Sequence, residues 1–436
     1  MKKSIKLTAF FLLTTVFLLS LAKVSLSASV KLKTSSPSEL DYVRLFTEAY
    51  QLIKEKYVEP VTPKRLFEGA IQGMLSKLDP HCTLFTPDKL KEFEVETSGE
   101  FGGLGIQITK TKDGRLLIIA PIEDTPAYKA GIKPGDIIVK INNKKVTPDM
   151  TLMDAVKLMR GKPGTKITIW IWRKGWSEPK PFTITRAIIK IKSVKYRILP
   201  GDIGYIRFTM FQRTSVDEFK KALEALEKDK NLKGIIVDVR NNPGGLLDSA
   251  VAISDYFLPK GDLIVYTKGR IPESIKKYYS THKPIVPLNI PVVMLVNGGT
   301  ASAAEILTGA LRYNDRAIVV GEKTFGKGSV QTLYPLDMGY AIKITTAKYY
   351  MPNHKCIDGK GIKPDIVVKL SKQDIAVLKK EFKEIEEHPE KTEQIRKERE
   401  KRLDAQIKRA MEVIKEFHLF QQMMKTEESK EAKKAA

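Results

Sequence analysis

Two stretches of the chain carry residues that could do chemistry together. VNGGTASAAEILTGAL holds Ser302, and GEKTFGKGSVQ holds Lys327. Each reads as a strand running into a small-residue loop, and the first loop opens a helix. A serine at a helix start has its hydroxyl near free N–H groups and the positive end of the helix dipole. A lysine between Gly326 and Gly328, beside Phe325, can lose water and with it its proton. Together they read as a serine nucleophile activated by a neutral lysine amine, which is hydrolase chemistry. Singly, neither residue carries this reading. A small residue before a helix is commonly only a cap, and in a lysine-rich chain the ordinary lysine is a solvated surface group.

A third loop, VRNNPGGLLD, also follows an apolar strand. Gly244 and Gly245 make a tight strand-to-helix turn, and they also let backbone N–H groups approach a ligand closely. In the second sense one glycine N–H would donate to an oxyanion, along with the N–H of Ala303. The loop has no serine, so the nucleophile is not here. Strand ends of this kind are where α/β folds place their sites.

The elements that must position these loops follow from periodicity. Between about 188 and 370 the pattern is alternating α/β, with runs such as GIIVDV and PVVMLV fitting strands of a sheet covered by helices. Upstream, residues 98–187 form a compact module of short strands and one amphipathic helix, TLMDAVKLMRG, with Leu152, Ala155, Val156 and Met159 on one face. Residues 38–97 are helical, with Ser38 the N-cap of the first helix and Asp79-Pro80 ending the second. From 371 to 424 a charged amphipathic helical region is expected, interrupted at His388-Pro389, and 425–436 reads as a disordered tail.

The chain has 436 residues and a formal net charge of +24, from 75 Lys plus Arg against 51 Asp plus Glu. The basic residues are dispersed, with no zinc-finger spacing or RNA-recognition signature, so nucleic acid is excluded as the expected partner. A solvated basic surface remains, compatible with anionic membrane lipid. Lys2, Lys3 and Lys6 precede the apolar run LTAFFLLTTVFLLSLA, the pattern of a signal peptide over 1–27, with Ser25 and Ser27 spaced for cleavage. Cleavage is the expectation, and an uncleaved anchor is the alternative. The chain is thus expected to be exported, periplasmic or otherwise extracytoplasmic. Cys82 and Cys356 fit a disulfide and a pair of thiols equally well. The five histidines form no ligand pattern, so no metal and no cofactor are expected.

The ordered stretches GAIQGMLSKLDPH, FGGLGIQI, AGIKPGDIIVKIN, VDVRNNPGGLL, NGGTASAAEI, GEKTFGKGSVQ and DGKGIKPDI give the chain a wider likeness. From about residue 38 to 370 it resembles the C-terminal processing peptidases, or tail-specific proteases. The resemblance implies a crotonase-like α/β serine protease core with a PDZ domain over 98–187. It further implies Ser302 as nucleophile, Lys327 as general base, an oxyanion hole at Gly245 and Ala303, and Gln331, one helical turn past Lys327, hydrogen-bonded to the lysine. Many relatives have serine where Thr300 and Ala304 stand here, at positions without a catalytic role.

In the PDZ domain, the loop Gly103, Leu104, Gly105 and Ile106 would hold a peptide's terminal carboxylate. Val156 and Met159 would wall a pocket for an apolar last side chain. For Leu104, Ile106 and Val156, packing of the module's own core is an equal reading. The implied partners are protein substrates with apolar C-terminal tails. Self-association through the helical termini and an adaptor protein are both compatible with the sequence. A non-catalytic tail-binding scaffold and a retinoid-type ligand binder on the same core fold are the competing function classes.

Overall fold

The structure, a computed structural model, describes residues 36–229 and 231–435. The segment 1–27, expected to be a signal peptide, lies outside the described residues. The chain divides into two compact units, Met1–Met74 and Leu75–Ala436. The first holds helix Glu39–Lys56 and most of helix Pro63–Ser76. Ser38 caps the former through a reciprocal pair with Asp41, as the sequence pattern expects. Phe67 of the second helix lies 4.9 Å from Tyr50 and 6.1 Å from Phe46, ring centre to ring centre.

In the second unit, a six-stranded sheet forms the core. Strands Ile203–Phe208, Gly234–Asp238, Val292–Val296, Ala317–Gly321 and Ile366–Val367 run parallel in that order, and Val194–Leu199 pairs antiparallel at the edge. Strands buried on both faces need continuous apolar runs, and every residue of Gly234–Asp238 and Val292–Val296 is buried. One face is covered by helices Ser215–Glu227, Leu247–Asp255 and Ala303–Tyr313 around Phe208, Phe219, Val237, Met294 and Leu307. The other is covered by the last helix, Ala405–Ala435, whose Ile407, Ala410, Val413 and Ile414 pack on Ile236, Val293, Leu295 and Val320. That helix runs on to Ala435, through the segment expected as a tail from 425.

A second sheet crosses the site region. Its long strand Ala341–Tyr350 pairs with Thr83–Phe85, Leu263–Gly269 and Ser329–Pro335. Thr83–Phe85 and the helix Pro87–Ser98 were not specified by the sequence reading. The helix does carry a start signal, with Thr86 as N-cap and Pro87 in the first turn.

The module at 98–187 holds a six-stranded sheet, in the order Ile106–Lys110, Leu116–Pro121, Ile137–Ile141, Lys166–Trp172, Lys180–Thr185 with the short Lys144–Lys145 paired to Ile137–Ile141, and helix Leu152–Met159 packs beside it. Ile106–Lys110 is an edge strand of that sheet. After the core come helices Lys372–Glu387 and Thr392–Lys401, separated by a turn at Pro389–Lys391, where the His388-Pro389 interruption was expected. That turn packs on strand Leu116–Pro121. Cys82 and Cys356 are both free thiols. Among the described residues no helix is long and apolar enough to cross a membrane.

Candidate active site

Ser302 is the N-cap of helix Ala303–Tyr313, at the end of the loop that leaves strand Val292–Val296. Its backbone sits at φ 54° and ψ −120°, a region that L-residues rarely adopt. Holding a non-glycine residue there costs on the order of 1–3 kcal/mol and requires surroundings that fix it. Those surroundings are visible. The Ser302 N–H donates to Glu305 Oε2 at 2.9 Å, and Ser302 O accepts from the N–H groups of Glu305 (2.8 Å) and Ile306 (3.0 Å).

Lys327 follows strand Ala317–Gly321 in the loop that leads to strand Ser329–Pro335. Its N–H also donates to Glu305 Oε2, at 2.9 Å. The Gly326 N–H and the Thr324 hydroxyl donate to Glu305 Oε1 at 2.8 and 2.5 Å. One fully buried carboxylate thus collects four donors and binds the serine loop to the lysine loop. The phenol of Tyr349 adds a second tie, donating to the carbonyls of both Ser302 and Lys327. The sequence reading brought Ser302 and Lys327 together but missed Glu305 and Tyr349. Ser302-x-x-Glu305 is legible as a helix-start pair; nothing local marks Tyr349.

Electrostatics at Lys327 favour the neutral amine. Burial, and next the like charge of Lys343, push its pKa below the ordinary lysine value, while Asp79 pulls the other way. Among the described residues no carboxylate forms an ion pair with its amine. Glu305 itself is pushed up by burial, against the hydrogen bonds it receives. Four donors and no acceptor around it match the ionised form, because a protonated oxygen would need an acceptor of its own.

The third loop closes the site. Gly244 (φ 100°) lies against Ser302, and a Cβ on it would come within 2.7 Å of Ser302 Cβ and 2.8 Å of the Ala303 nitrogen. Gly245 has φ 138°, a conformation that suits glycine. The N–H groups of Gly245 and Ala303 have no acceptor among the described residues, whereas the neighbouring Gly244 N–H is spent on Asn242 Oδ1 at 2.9 Å.

Two expectations are corrected in detail. Gln331 lies on strand Ser329–Pro335, so the spacing from Lys327 is not a helical turn. Its amide donates to Ser329 Oγ (2.8 Å) and Thr345 Oγ1 (3.2 Å), not to the lysine. In the 98–187 module, Leu104 and Met159 belong to the buried core, Ile106 packs against it, and Val156 is half-exposed at the helix surface. Leu152, expected on the same wall, is 38% exposed. The loop Gly103–Leu104–Gly105 is itself pinned, with Leu104 O accepting from Ala127 N and Gly105 O from Ile122 N.

Known proteins share this plan. The family model for peptidase family S41 matches residues 202–368, the PDZ domain model residues 117–173, and the activating protease CtpB N-terminal domain model residues 14–85. A carboxy-terminal-processing protease of Bartonella bacilliformis is 42% identical over 357 residues, covering 80% of this chain and 81% of that one. The carboxy-terminal processing protease CtpA of Bacillus subtilis is 38% identical over 376 residues, covering 85% and 78%. Among solved structures, the photosystem II D1 C-terminal processing protease aligns with 74% of this chain and 86% of its own, at 29% identity and a TM-score of 0.44. Relatives of that identity and coverage settle what the loops and sheet introduced: the chain belongs to the carboxy-terminal-processing proteases, the serine proteases of peptidase family S41, and carries a PDZ domain.

Proposed function

We propose that this chain is an exported endopeptidase that cleaves protein substrates by a Ser302–Lys327 dyad after its PDZ domain takes hold of an apolar C-terminal tail. The observation that carries the reading is the shared acceptor: Glu305 Oε2 receives the N–H of both Ser302 and Lys327, so the two loops form one site. In this reading, neutral Lys327 accepts the Ser302 proton as Oγ attacks the scissile carbonyl. The carbonyl oxygen, now negative, receives the unspent N–H groups of Gly245 and Ala303. The ammonium then protonates the leaving amine, and the regenerated amine activates water to release the acyl group. Burial of Lys327 shifts it toward the neutral form this cycle needs. Gln331 donates to Thr345 and Ser329 rather than holding the amine directly.

For the tail, the edge strand Ile106–Lys110 offers unpaired backbone groups to an incoming strand, and the Gly103–Ile106 loop offers N–H groups to its carboxylate. Export rests on the Lys-flanked apolar run at the N-terminus.

Ser302→Ala and Lys327→Ala, each shown to be folded, are expected to abolish cleavage of an unstructured substrate. Near-full proteolysis by either would remove the dyad. Amidating the C-terminus of an apolar-tailed peptide is expected to weaken its cleavage, and equal rates for the free and amidated peptides would refute tail reading. A scaffold or a retinoid binder would show no difference between wild type and Ser302→Ala in the first assay.

A further inference from the structure

The loop that carries Gly245 is gripped at its root by the C-terminal segment of the chain. Asp238 ends strand Gly234–Asp238 and is buried. Its carboxylate accepts from the Tyr205 hydroxyl at 2.6 Å, from Arg207 Nη1 at 3.1 Å, and from Arg240 Nε at 2.9 Å and Nη2 at 2.6 Å. Burial pushes Asp238 up, but Arg240 and Arg207 outweigh it and hold its pKa at about 2. Arg240 Nη1 points the other way. It donates to Asp404 Oδ2 at 2.8 Å and to Gln406 Oε1 at 2.7 Å.

Both acceptors belong to the C-terminal extension, and both are fixed in turn. Asp404 Oδ1 accepts the N–H groups of Gln406 (3.0 Å) and Ile407 (2.9 Å) at the start of the last helix. Gln406 is buried, and its amide donates to Val368 O at 2.7 Å.

Between Arg240 and Gly245 the chain has no slack. Asn241, at φ 55°, donates its N–H to Asn297 Oδ1 at 2.9 Å and accepts from Asn297 Nδ2 at 2.9 Å. The Asn242 side chain donates to Phe208 O (3.1 Å) and accepts from Gly244 N, and Asn242 O accepts from the N–H of Ala301 beside the serine. Gly244 O accepts from Phe211 N, and Gly244 lies against Ser302. A shift at Arg240 therefore moves the Gly245 N–H and the serine loop together.

We propose that Asp404 and Gln406 are positioning residues for the oxyanion hole, acting through Arg240. The proposal rests on the reading of Gly245 as an oxyanion donor. Asp238 already neutralises Arg240, so losing Asp404 and Gln406 leaves no buried carboxylate uncompensated. What is lost is the constraint on where the guanidinium, and the loop after it, sits. Displacements near 1 Å in catalytic groups cost up to about a hundredfold in rate.

The test is the full chain carrying Asp404→Ser with Gln406→Leu. Serine keeps the helix cap but is too short to reach Arg240. With a fluorogenic apolar-tailed peptide, kcat is expected to fall roughly tenfold or more while KM stays within about twofold, the pattern of an interaction made in the transition state. Affinity for the matching peptide aldehyde, whose serine adduct places an oxyanion in the hole, is expected to fall with kcat. Unchanged kcat in the folded double variant, or lost kcat with undiminished aldehyde affinity, overturns the proposal. If the double variant does not fold, Arg240→Lys poses the same question, because one ammonium cannot span Asp238 and the extension; wild-type kcat there also overturns it. Ser302→Ala serves as the separate control: activity in that variant refutes the dyad, whatever Asp404 does.

Discussion

At the scale of single residues, the proposed dyad turns on one proton at Lys327. As a general base the amine would work only when neutral, so cleavage is expected to rise as pH passes upward through its pKa. Lys343 and Asp79 act on that pKa in opposite senses. Replacing Lys343 with Gln removes a like charge, lets the proton bind more tightly and moves the rising limb to higher pH. Asp79→Asn removes an opposite charge and moves the limb to lower pH. Profiles of kcat/KM against pH for the two variants check this; shifts in the same direction, or none, would refute it. Asp79 is suited to the role because it stays charged. Burial pushes its pKa up, but hydrogen bonds from Thr345, His81 and Cys82 outweigh that and leave it below the usual carboxylate range. Thr345 also accepts from Gln331, so this charge and the strand beside the lysine are tied to the same hydroxyl.

At the scale of elements, the site is a joint between two strand-to-loop transitions, and Glu305 is the fastener. Glu305→Gln turns one acceptor oxygen into a donor facing donors. It is expected to cost about 1–3 kcal/mol of stability and to lower kcat at least tenfold. Denaturant unfolding together with a rate measurement decides it, and a fully active, equally stable variant would show that the two loops hold their positions without the carboxylate. The sequence exposed the loops but not the fastener, for a physical reason. Small residues after a buried apolar run have a local signature, so Ser302, Lys327 and the Gly244-Gly245 turn could be picked out in a first pass. A glutamate three residues into a helix looks like any helix start, and its partners at Thr324, Gly326 and Lys327 come from another loop. Long-range pairing hid other parts as well. Thr83–Phe85 is three residues long and is a strand only because Ala341–Tyr350 pairs with it. The four-residue step from Lys327 to Gln331 fits a helix and a strand equally until that same long strand is in place. In the PDZ domain the helix was legible from its period, but not which side chains face the core: Met159 is buried while Leu152 is exposed.

At the scale of the whole molecule, the charged C-terminal region is part of the core rather than an appendage. Ile407, Ala410, Val413 and Ile414 cover a sheet face that would otherwise present Ile236, Val293, Leu295 and Val320 to water. Gly234 leaves the room for this, since a Cβ there would come within 2.7 Å of Ile414. A chain ending at residue 370 is expected to aggregate instead of folding, and Ile414→Ala to cost about 2–5 kcal/mol in chemical denaturation. A soluble truncated chain with a cooperative unfolding transition would refute the first expectation. The same region also reaches the PDZ domain, with Arg396 donating to Gln107 at 3.2 Å and Lys397 paired with Glu123 at 3.4 Å.

The placement of that last helix has a consequence in time. A ribosome makes Ser302 and Lys327 long before it makes Ile414, so until then the chain lacks the residues that cover one face of the central sheet. The core cannot close, and Arg240 cannot find its distal partners, until nearly the whole polypeptide has been released. A core built this way is completed only by the last part of its own sequence, since the order of its residues sets when that sheet face is covered.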